Sequence, residues 1–591
     1  MREKWLIVNK KTSKVTELAE KCGISEFEGR LLVNRDVNNV EHIKRFLYGD
    51  LDFLYSGESM KDMDKGIEII SSAIKNNRKI VIYGDYDCDG VNSTVILYKA
   101  LKVCNANFEY HIPNRESEGY GMNSERIKKL KEEGFEVILT CDNGISAISE
   151  IEIAKELGFD VVVTDHHDVP FEEKGEIKKE VLPKADAIIN PKQKDCFYPF
   201  KNLCGAGVSL KFVQCLYEKM GIEKDKWKEL IEFSAIATVC DVVDLLDENR
   251  IIVKEGLKVL NSTNNLGLKE LIKVTGLEGK KITAYHLGFV LGPCINATGR
   301  LETADLSVEL LITEDASRAE ELAKELFELN KVRQDLTSES VEQVIEQIEN
   351  NDMAKDKVLL VYNDYIHESI AGIVAGRIRE KYNVPAIILT KGKNMPKGSG
   401  RSIEEYNMFE ELLKCKELID KFGGHPMAAG LSIEEKNLSK LRDMLLTNCT
   451  LTDQDIIPKV KMDMKLPINY VNEKLIKTIE TLEPFGKGNS SPLFGEKSVN
   501  IKRVWLLGKD KNVIKFRCKL NDSNAYIDAI AFNRIDIFKE EFINKFGEEY
   551  FNEIINTSFC NFNIDFIYVP QINEFNGNRT IQLVIKYLRI W

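Results

Sequence analysis

The sequence has no covalent scaffold to lean on. Its 13 cysteines are an odd number and no two stand as C-x-x-C, a usage that suits a reducing compartment and argues against a disulfide-stapled fold. No secretory apolar segment follows Met1-Arg2-Glu3-Lys4, so a cytoplasmic location is expected. No apolar run approaches a membrane span. Even Val161–Val163 is soon followed by Asp165, His166 and His167, so a soluble chain without a membrane partner is expected. Internal repeats and low-complexity linkers are missing too, which excludes solenoids and disordered spacers. Positive charge is short, with a net charge of −12, whereas phosphate binding draws on Lys and Arg. The distribution matters more than the sum: acids crowd helically spaced segments such as Glu320–Glu328, while several short motifs are locally basic.

What is present is a globular composition, 43% hydrophobic and 30% charged over 591 residues, too long for one core. From Lys79 to Asn190, short β-branched runs (Lys79–Tyr83, Glu136–Thr140, Asp160–Thr164, Ala187–Ile189) alternate with helical patterns over Ser124–Glu133 and Ala147–Leu157. That order predicts a parallel sheet with crossover helices, whose ligand edge lies at the carboxyl ends of the strands. Between Thr313 and Asn351 there is neither Gly nor Pro, and the spacing predicts a long helix with room for one break. Lys357–Tyr362 and Pro385–Thr390 flank a helical stretch in a second α/β unit, and Val499–Leu507, Val513–Leu520 and Ala525–Phe532 read as short strands of a β-rich domain. The expected division is an N-terminal extension (1–50), a first α/β unit (51–312), a connecting helix (313–351), a second α/β unit (352–450) and a β-domain with a C-terminal extension (451–591).

Gly84-Asp85-Tyr86-Asp87-Cys88-Asp89-Gly90 places three carboxylates at alternate positions directly after a strand. In extended geometry they share a face and repel one another unless a cation sits among them. An acidic turn is the plain alternative. An EF-hand loop fails because its twelfth position is Ile96. Asp142 in Thr140–Gly144, the pair His166-His167 after Asp165, and Asp241 in Val239–Val243 point the same way, each read as following a strand. Asp142 before Asn-Gly also suits a simple turn, and adjacent histidines a polar strand end. Four such sites in a chain with only 7 His favour a hard divalent metal centre of carboxylates and imidazole, Mn²⁺ or Mg²⁺, over structural zinc.

These residues, in this order, resemble the DHH phosphoesterase superfamily. The likeness extends through Gly292-Pro293-x-Ile295-Asn296-Ala297-x-Gly299-Arg300-Leu301, Gly398-Ser399-Gly400-Arg401-Ser402, Gly423-Gly424-His425 with Ala428-Ala429-Gly430, and Leu482-Glu483-Pro484-Phe485-Gly486-x-Gly488-Asn489. Together these are similar to the RecJ-type single-stranded-DNA exonucleases, from Lys79 to the C-terminus. The resemblance implies a DHH catalytic domain, a DHHA1 substrate-binding domain and an OB-like β-domain. It implies that Asp87, Asp89, Asp142, His166 and Asp241 bind two ions, with Asp142 bridging and Asp85 in support. Asp165 then orients the site and His167 touches the scissile phosphate, although the residues themselves leave open which histidine does which. In-line hydrolysis by an activated water needs no protein nucleophile.

In Lys397–Ser402 the glycines permit close backbone approach, and Ser399 and Arg401 offer directed donors. Alone the hexapeptide reads as a flexible loop. The resemblance implies that Ser399, Arg401 and Arg115 hold a terminal 5′-phosphate, with Tyr120 near the strand end and Arg300 and His425 on phosphates close to the metals. Arg300 as a helix cap and His425 as a turn residue are the plain alternatives, and His367 in Ile366–Ser369 is a further candidate for substrate contact, against an N-cap role for nearby Ser369 or Asp364. In the β-domain, Lys502, Arg503, Lys509, Lys511, Lys515, Arg517 and Lys519 interleave with Trp505 and Phe516, opposed locally only by Asp510. This suits a single-strand groove of the OB type, against the alternative of a solvated face over buried aromatics. The stretch Asp536–Trp591 shows its role less clearly.

The expected function is thus 5′-to-3′ hydrolysis of single-stranded DNA to 5′-mononucleotides in recombination and repair. The resemblance suggests a single-strand-binding protein and a RecQ-type helicase as partners, and a monomer. Two further readings compete. A DHH phosphodiesterase acting on short oligoribonucleotides, cyclic-dinucleotide products or pyrophosphate would usually lack the β-domain and the Leu482–Asn489 motif. A replication scaffold would have lost the acids and histidines retained here.

Overall fold

A computed structural model of the chain describes residues 3–8, 14–115, 117–119, 121–174, 177–520, 524–575 and 577–590. They divide into two units. The first is built from residues 55–243 and 255–458 with the start of the chain, the second from 4–54, 244–254 and 459–591.

Five parallel strands begin the first unit: β1 (Ile80–Tyr83), β2 (Phe108–His111), β3 (Val137–Cys141), β4 (Asp160–Thr164) and β5 (Ala187–Ile189), in the order β2-β1-β3-β4-β5. Every residue of β1, β3 and β5 is buried, as in a parallel sheet covered on both faces, which is why they read as continuous apolar runs. Helix α1 (Cys88–Val103) follows β1, α2 (Ser124–Glu132) and α3 (Ile148–Glu156) serve as crossovers, and α4 (Gly205–Met220) and α5 (Ile231–Cys240) pack on α1. Helix α6 (Gly292–Leu301) leads to α7 (Ala316–Asn350), 35 residues in one unbroken helix capped by Asp315, whose carboxylate accepts from Ser317 N and Arg318 N. It buries Ala319, Leu322, Ala323 and Leu326 near its start and Val344 and Ile348 near its end.

The second α/β part of this unit has a mixed sheet. Strands β6 (Leu359–Tyr362) and β7 (Ala386–Thr390), parallel and joined by α8 (Ala371–Tyr382), continue antiparallel through β8 (Lys397–Arg401), with β9 (Lys421–His425) and β10 (Ala428–Ser432) beyond it, in the order β9-β10-β8-β7-β6.

In the second unit, β11 (Phe494–Leu507), β12 (Val513–Lys519), β13 (Tyr526–Phe532), β14 (Phe559–Phe575) and β15 (Asn578–Ile590) close a five-stranded barrel. β13 pairs parallel with β15, and β14 returns to β11. Asp536–Trp591, obscure in the sequence, thus supplies two strands and the helices Ile535–Phe546 and Glu548–Thr557. Residues 4–54 join this unit, Leu31, Leu32, Ile43 and Phe46 sharing its core with Phe494, Phe516 and Phe562. The buried Arg250 guanidinium donates to the carbonyls of Phe46, Leu482 and Thr481 at 2.9, 2.8 and 3.0 Å. Asn489 donates to Leu482 O and Pro484 O and accepts from Arg35 Nε. The Leu482–Asn489 motif is therefore an internal fastening of this unit. Among the described residues no helix is long and apolar enough to cross a membrane.

Candidate metal centre and phosphate cleft

The acidic segment does not run on as a strand, as alternate spacing implied. It turns after β1 so that Asp87 caps α1, its Oδ1 accepting from Asp89 N at 2.9 Å and Gly90 N at 3.0 Å, while Asp89 lies in the first helical turn. Gly90 is required there: a Cβ would lie 2.5 Å from the carbonyl oxygen of Asp85. Asp89 is gripped by the start of α4, where Gly205 N donates to Oδ2 at 2.7 Å and Ala206 N to Oδ1 at 2.8 Å, a helix N-terminus meeting an anion.

Asp142 follows β3 with a left-handed backbone (φ 60°), and a Cβ on Gly205 would come within 2.6 Å of its carboxylate. His166 Nε2 stands 3.1 Å from Asp142 Oδ1, 3.6 Å from Asp89 Oδ2 and 3.8 Å from Asp241 Oδ2. Yet Asp142 Oδ1, fully buried, makes no hydrogen bond. Three overlapping groups have ligand atoms within 4.8 Å of one another: Asp85, Asp87 and Asp142; Asp142, His166 and His167; Asp89, His166 and Asp241. Asp241 reaches the cluster from the C-cap of α5 and not from a strand end. The residues Ile231–Thr238 are buried on all sides, so the helix carries no periodicity and imitates a strand in sequence.

The electrostatics are those of a cation site. Burial and then Asp87 push Asp85 up to about 8, burial and then Asp89 push Asp241 up to about 8, and burial with the neighbouring acids raises Asp87 and Asp142. Burial lowers His166, favouring the neutral imidazole that ligates metals. Asp165 takes a different part. Its Oδ1 accepts from His166 N (2.7 Å), His167 N (3.1 Å) and His167 Nδ1 (2.8 Å), and its Oδ2 from Ile145 N (2.9 Å). Burial would raise it, but the His167 contact outweighs that and holds it at about 2. Burial likewise works against His167, and Asp165 overrides it to reach about 9.

Asp85 and Asp87 also form one wall of a cleft of about 800 Å³, whose other walls include Arg115, Arg300, Ser369, Ser399, Arg401 and Lys421. Arg401 Nη1 donates to Ser399 Oγ and Gly400 O, both at 2.8 Å. Arg300 Nη1 donates to Ser369 O at 2.6 Å. Burial, then the neighbouring Arg115 and Arg333, pull Arg300 down to about 10. Arg115 stacks 5.3 Å from the Tyr86 ring centre. Among the described residues the partners of these three arginines are carbonyl oxygens, the Ser399 hydroxyl and the Tyr86 ring, and not carboxylates. Guanidiniums lining a cleft are directed donors of the kind that suit phosphate oxygens.

On the barrel, Trp505 lies between Lys515 (5.7 Å) and Arg517 (5.4 Å) of β12. Arg503 covers the exposed Phe559 ring at 4.3 Å, and Lys502 donates to Asn561.

Three family models match the chain: the DHH family N-terminal domain over residues 79–238, the DHHA1 domain over 355–449 and the RecJ OB domain over 462–587. The single-stranded-DNA-specific exonuclease RecJ of Bacillus subtilis is 36% identical over 588 residues, covering 99% of this chain and 70% of that protein. This chain belongs to the RecJ family. A crystal structure of RecJ with Mn²⁺ from Thermus thermophilus shares the fold, with a TM-score of 0.80 at 24% identity over 100% of this chain and 80% of that one. An exonuclease RecJ bound to manganese matches with a TM-score of 0.58 at 29% identity, over 68% of this chain and 97% of its own.

Set on this RecJ fold, the expected residues sort by position. Asp85, Asp87, Asp89, Asp142, His166, His167 and Asp241 converge, Asp165 holds His167, and Arg115, Arg300, Ser399 and Arg401 share the cleft. His425 does not reach it: the side chain is exposed beside the β9–β10 turn, where Nδ1 accepts from Met427 N. His367 caps a short turn through Ser369 N. Tyr120 lies outside the described residues. Phe516 is buried in the barrel because strand alternation turns Ile514, Phe516 and Cys518 inward and Lys515 and Arg517 outward. Nor is Asp510 the local counter-charge, since Asp528 on β13 binds Lys515 at 2.8 Å and Arg517 at 3.0 Å. Sequence reasoning misses Gly205, Ala206 and the exposed Phe559. The run Gly205-Ala206-Gly207 opening a helix is the available sign for the first two.

Proposed function

We propose that this RecJ-family chain hydrolyses single-stranded DNA stepwise from the 5′ end, releasing 5′-mononucleotides in recombination and repair. The observation that carries the reading is the single cleft joining Asp85 and Asp87 to Arg115, Arg300, Ser399 and Arg401. Acids that need a cation and arginines that need an anion line one space.

Asp87, Asp89, Asp142, His166 and Asp241, with Asp85 in support, would hold two Mn²⁺ or Mg²⁺ ions. The buried Asp142 Oδ1, which makes no hydrogen bond although His166 Nε2 stands 3.1 Å away, fits a ligand atom, and the carboxylate-rich donor set fits hard cations. Bound there, such ions polarise phosphoryl oxygens and lower the pKa of water. The chain supplies the rest. The first turn of α4 fixes Asp89, and Asp165 fixes His167 by its Nδ1, so that Nε2 presents a proton to a phosphoryl oxygen. Arg300 contributes charge beside Asp87. Arg115, Ser399 and Arg401 receive the terminal phosphate and so set polarity, because a 3′ end lacks that group. The Trp505 face of the barrel offers a second surface for the strand. The reading carries with it a cytoplasmic site of action, supported by the free state of all 13 cysteines, with a single-strand-binding protein and a RecQ-type helicase as partners of a monomer.

Digestion of end-labelled single strands phosphorylated at either terminus, with Mn²⁺, Mg²⁺ or EDTA and beside a duplex control, tests it. Mononucleotides released from the 5′ end only with metal are expected. Release from the 3′ end, equal cleavage of duplex, or activity in EDTA would overturn it.

A further inference from the structure

One histidine outside the metal centre is bonded to both sides of the cleft. His111 ends β2 at the carboxyl edge of the parallel sheet, and its carbonyl accepts from Gly84 N at 2.9 Å, where the acidic segment begins. Its ring meets Tyr83 edge to face, with centroids 5.0 Å apart and planes at 74°. On the other side, Nε2 stands 2.9 Å from Glu118 Oε2. The two side chains are only 13% and 23% exposed, so water competes little for the contact. Burial keeps the His111 ring below its ordinary pKa, with the Glu118 contact opposing it. A neutral ring has one N–H, and with the proton on Nε2 it is donated to the carboxylate.

Glu118 is the knot of the connection between β2 and α2. Its backbone N donates to Asn114 O at 2.8 Å, and its own carbonyl accepts from Asn123 Nδ2 at 3.3 Å. Asn114 O also accepts from Gly119 N at 3.2 Å, while Asn114 Oδ1 accepts from Ser117 N and Ser117 Oγ, both at 3.0 Å. The Asn114 carbonyl lies in the peptide plane that leads into Arg115. Holding Glu118 therefore fixes where Arg115 leaves the backbone.

The direction of the Arg115 side chain depends on that anchorage. Its guanidinium lines the cleft 5.3 Å from the Tyr86 ring centre, and for a half-buried arginine such a contact holds weakly. Arg401 differs, because Ser399 Oγ and Gly400 O orient it directly.

Resting on the reading of Arg115 as a receiver of the terminal phosphate, we propose that His111 is a positioning residue for 5′-end recognition, locking through Glu118 the turn that presents Arg115 to that phosphate. It acts without touching substrate or metal. Because the same residue also holds Gly84, the phosphate wall and the acid wall of the cleft are tied together at one point.

The test uses the full chain with three variants. His111→Phe keeps the ring contact with Tyr83 and removes the bond, Glu118→Ala removes the bond from the less buried partner, and His111→Gln keeps a donor at the place of Nε2. KM and kcat are measured with Mn²⁺ on 5′-phosphorylated and 5′-hydroxyl single strands, and amide hydrogen exchange over residues 112–123 is followed in EDTA. His111→Phe and Glu118→Ala should raise KM on the phosphorylated strand about 10-fold, with kcat and the KM of the hydroxyl strand little changed, and should speed exchange in the segment. His111→Gln should restore both. An equal rise on the two strands, an unchanged KM, exchange that stays slow in His111→Phe, or a His111→Gln variant that behaves like His111→Phe would overturn the proposal. A wild type with no preference for the phosphorylated strand would overturn the reading of Arg115 itself, whereas a preference that His111→Phe retains would overturn only the part given to His111.

Discussion

Asp165 Oδ1 lies 2.8 Å from His167 Nδ1 and also accepts the backbone N–H groups of His166 and His167. One oxygen thus fixes both the turn that carries the histidines and the tilt of the second ring. It also keeps His167 protonated to about 9, against the effect of burial. Asp165→Asn retains the shape and one acceptor but removes the charge, so His167 should titrate lower and present its proton less often. Activity should fall about 10- to 100-fold, as for other residues that orient ligands, with the loss growing from pH 7 to pH 9. A uniform loss across that range would show that the carboxylate acts only on loop geometry.

Asp142 is the buried centre of the acid cluster, raised by burial and by Asp89, Asp87, Asp85 and Asp165 together. Its charge is unfavourable to the metal-free fold and needed only for binding. Asp142→Asn should therefore unfold at a higher temperature than the wild type in EDTA at pH 8, while losing at least about a thousandfold in activity with Mn²⁺. Thermal melts with and without Mn²⁺ check this, because the metal-induced rise in midpoint should shrink in the variant. A variant less stable in EDTA would mean that Asp142 is a structural residue.

The legible part of this site and the illegible part differ for physical reasons. Strands β1, β3 and β4 are covered on both faces, so they appear as unbroken β-branched runs, and the polar residues that end them, Asp142 and His166 among them, stand out at once. Asp241 is legible by residue type, but its helix reads as a strand because α5 is buried all round. The Gly205 and Ala206 N–H groups that hold Asp89 carry no side-chain signature. Inward and outward faces of the barrel depend on register, so Phe516 groups with Trp505 in the sequence although one is in the core and the other on the surface. His425 stands in a recognisable motif, yet among the described residues its hydrogen bond is to its own turn, at Met427 N.

Trp505 and Phe516 stand on adjacent rungs of β11 and β12, Trp505 opposite Lys515 and Phe516 opposite Val504, yet should separate affinity from stability. Phe516 is wholly buried, with its ring 5.4 Å from that of Phe538 in an edge contact, so Phe516→Ala should cost about 3–5 kcal/mol of stability. Trp505 lies between two cations on the outer face. Trp505→Ala should leave the melting temperature within a degree or two and weaken binding of single strands about 5- to 100-fold. Fluorescence anisotropy and thermal melts on the same preparations decide it; a Trp505→Ala variant that binds normally would remove this face from the DNA path.

Arg401 donates one hydrogen bond pair to Ser399 Oγ and Gly400 O, and burial together with Arg379 lowers its pKa. A half-buried cation with no acid partner among the described residues suits an anionic ligand. Arg401→Ala should lower the preference for a 5′-phosphorylated over a 5′-hydroxyl single strand about 10- to 150-fold, the worth of a charge-assisted contact, with kcat on the hydroxyl strand changed little. Equal loss on the two strands would place Arg401 in folding or in metal binding instead of end recognition.

Glu232 gives a test of stability away from the acid cluster. It lies on α5, 4% exposed, with Oε2 unpartnered. Burial drives its carboxyl up to about 7, and the opposing hydrogen bond from Thr263 and the charge of Lys99 do not cancel that. The folded pKa thus exceeds the ordinary value of 4.5, so the folded state binds the proton more tightly than the unfolded chain. Stability from the neutral form is complete below about pH 4.5 and is lost as pH rises through about 7. Glu232→Gln fixes the neutral shape. It should be indistinguishable from the wild type at pH 4.5 and more stable by up to about 3 kcal/mol at pH 8, with the difference opening between those values. Urea unfolding of both proteins at a series of pH values measures it. A gain independent of pH would assign the effect to packing, and a loss at pH 8 would mean that the positive charge of Lys99 outweighs the cost of burying the carboxylate.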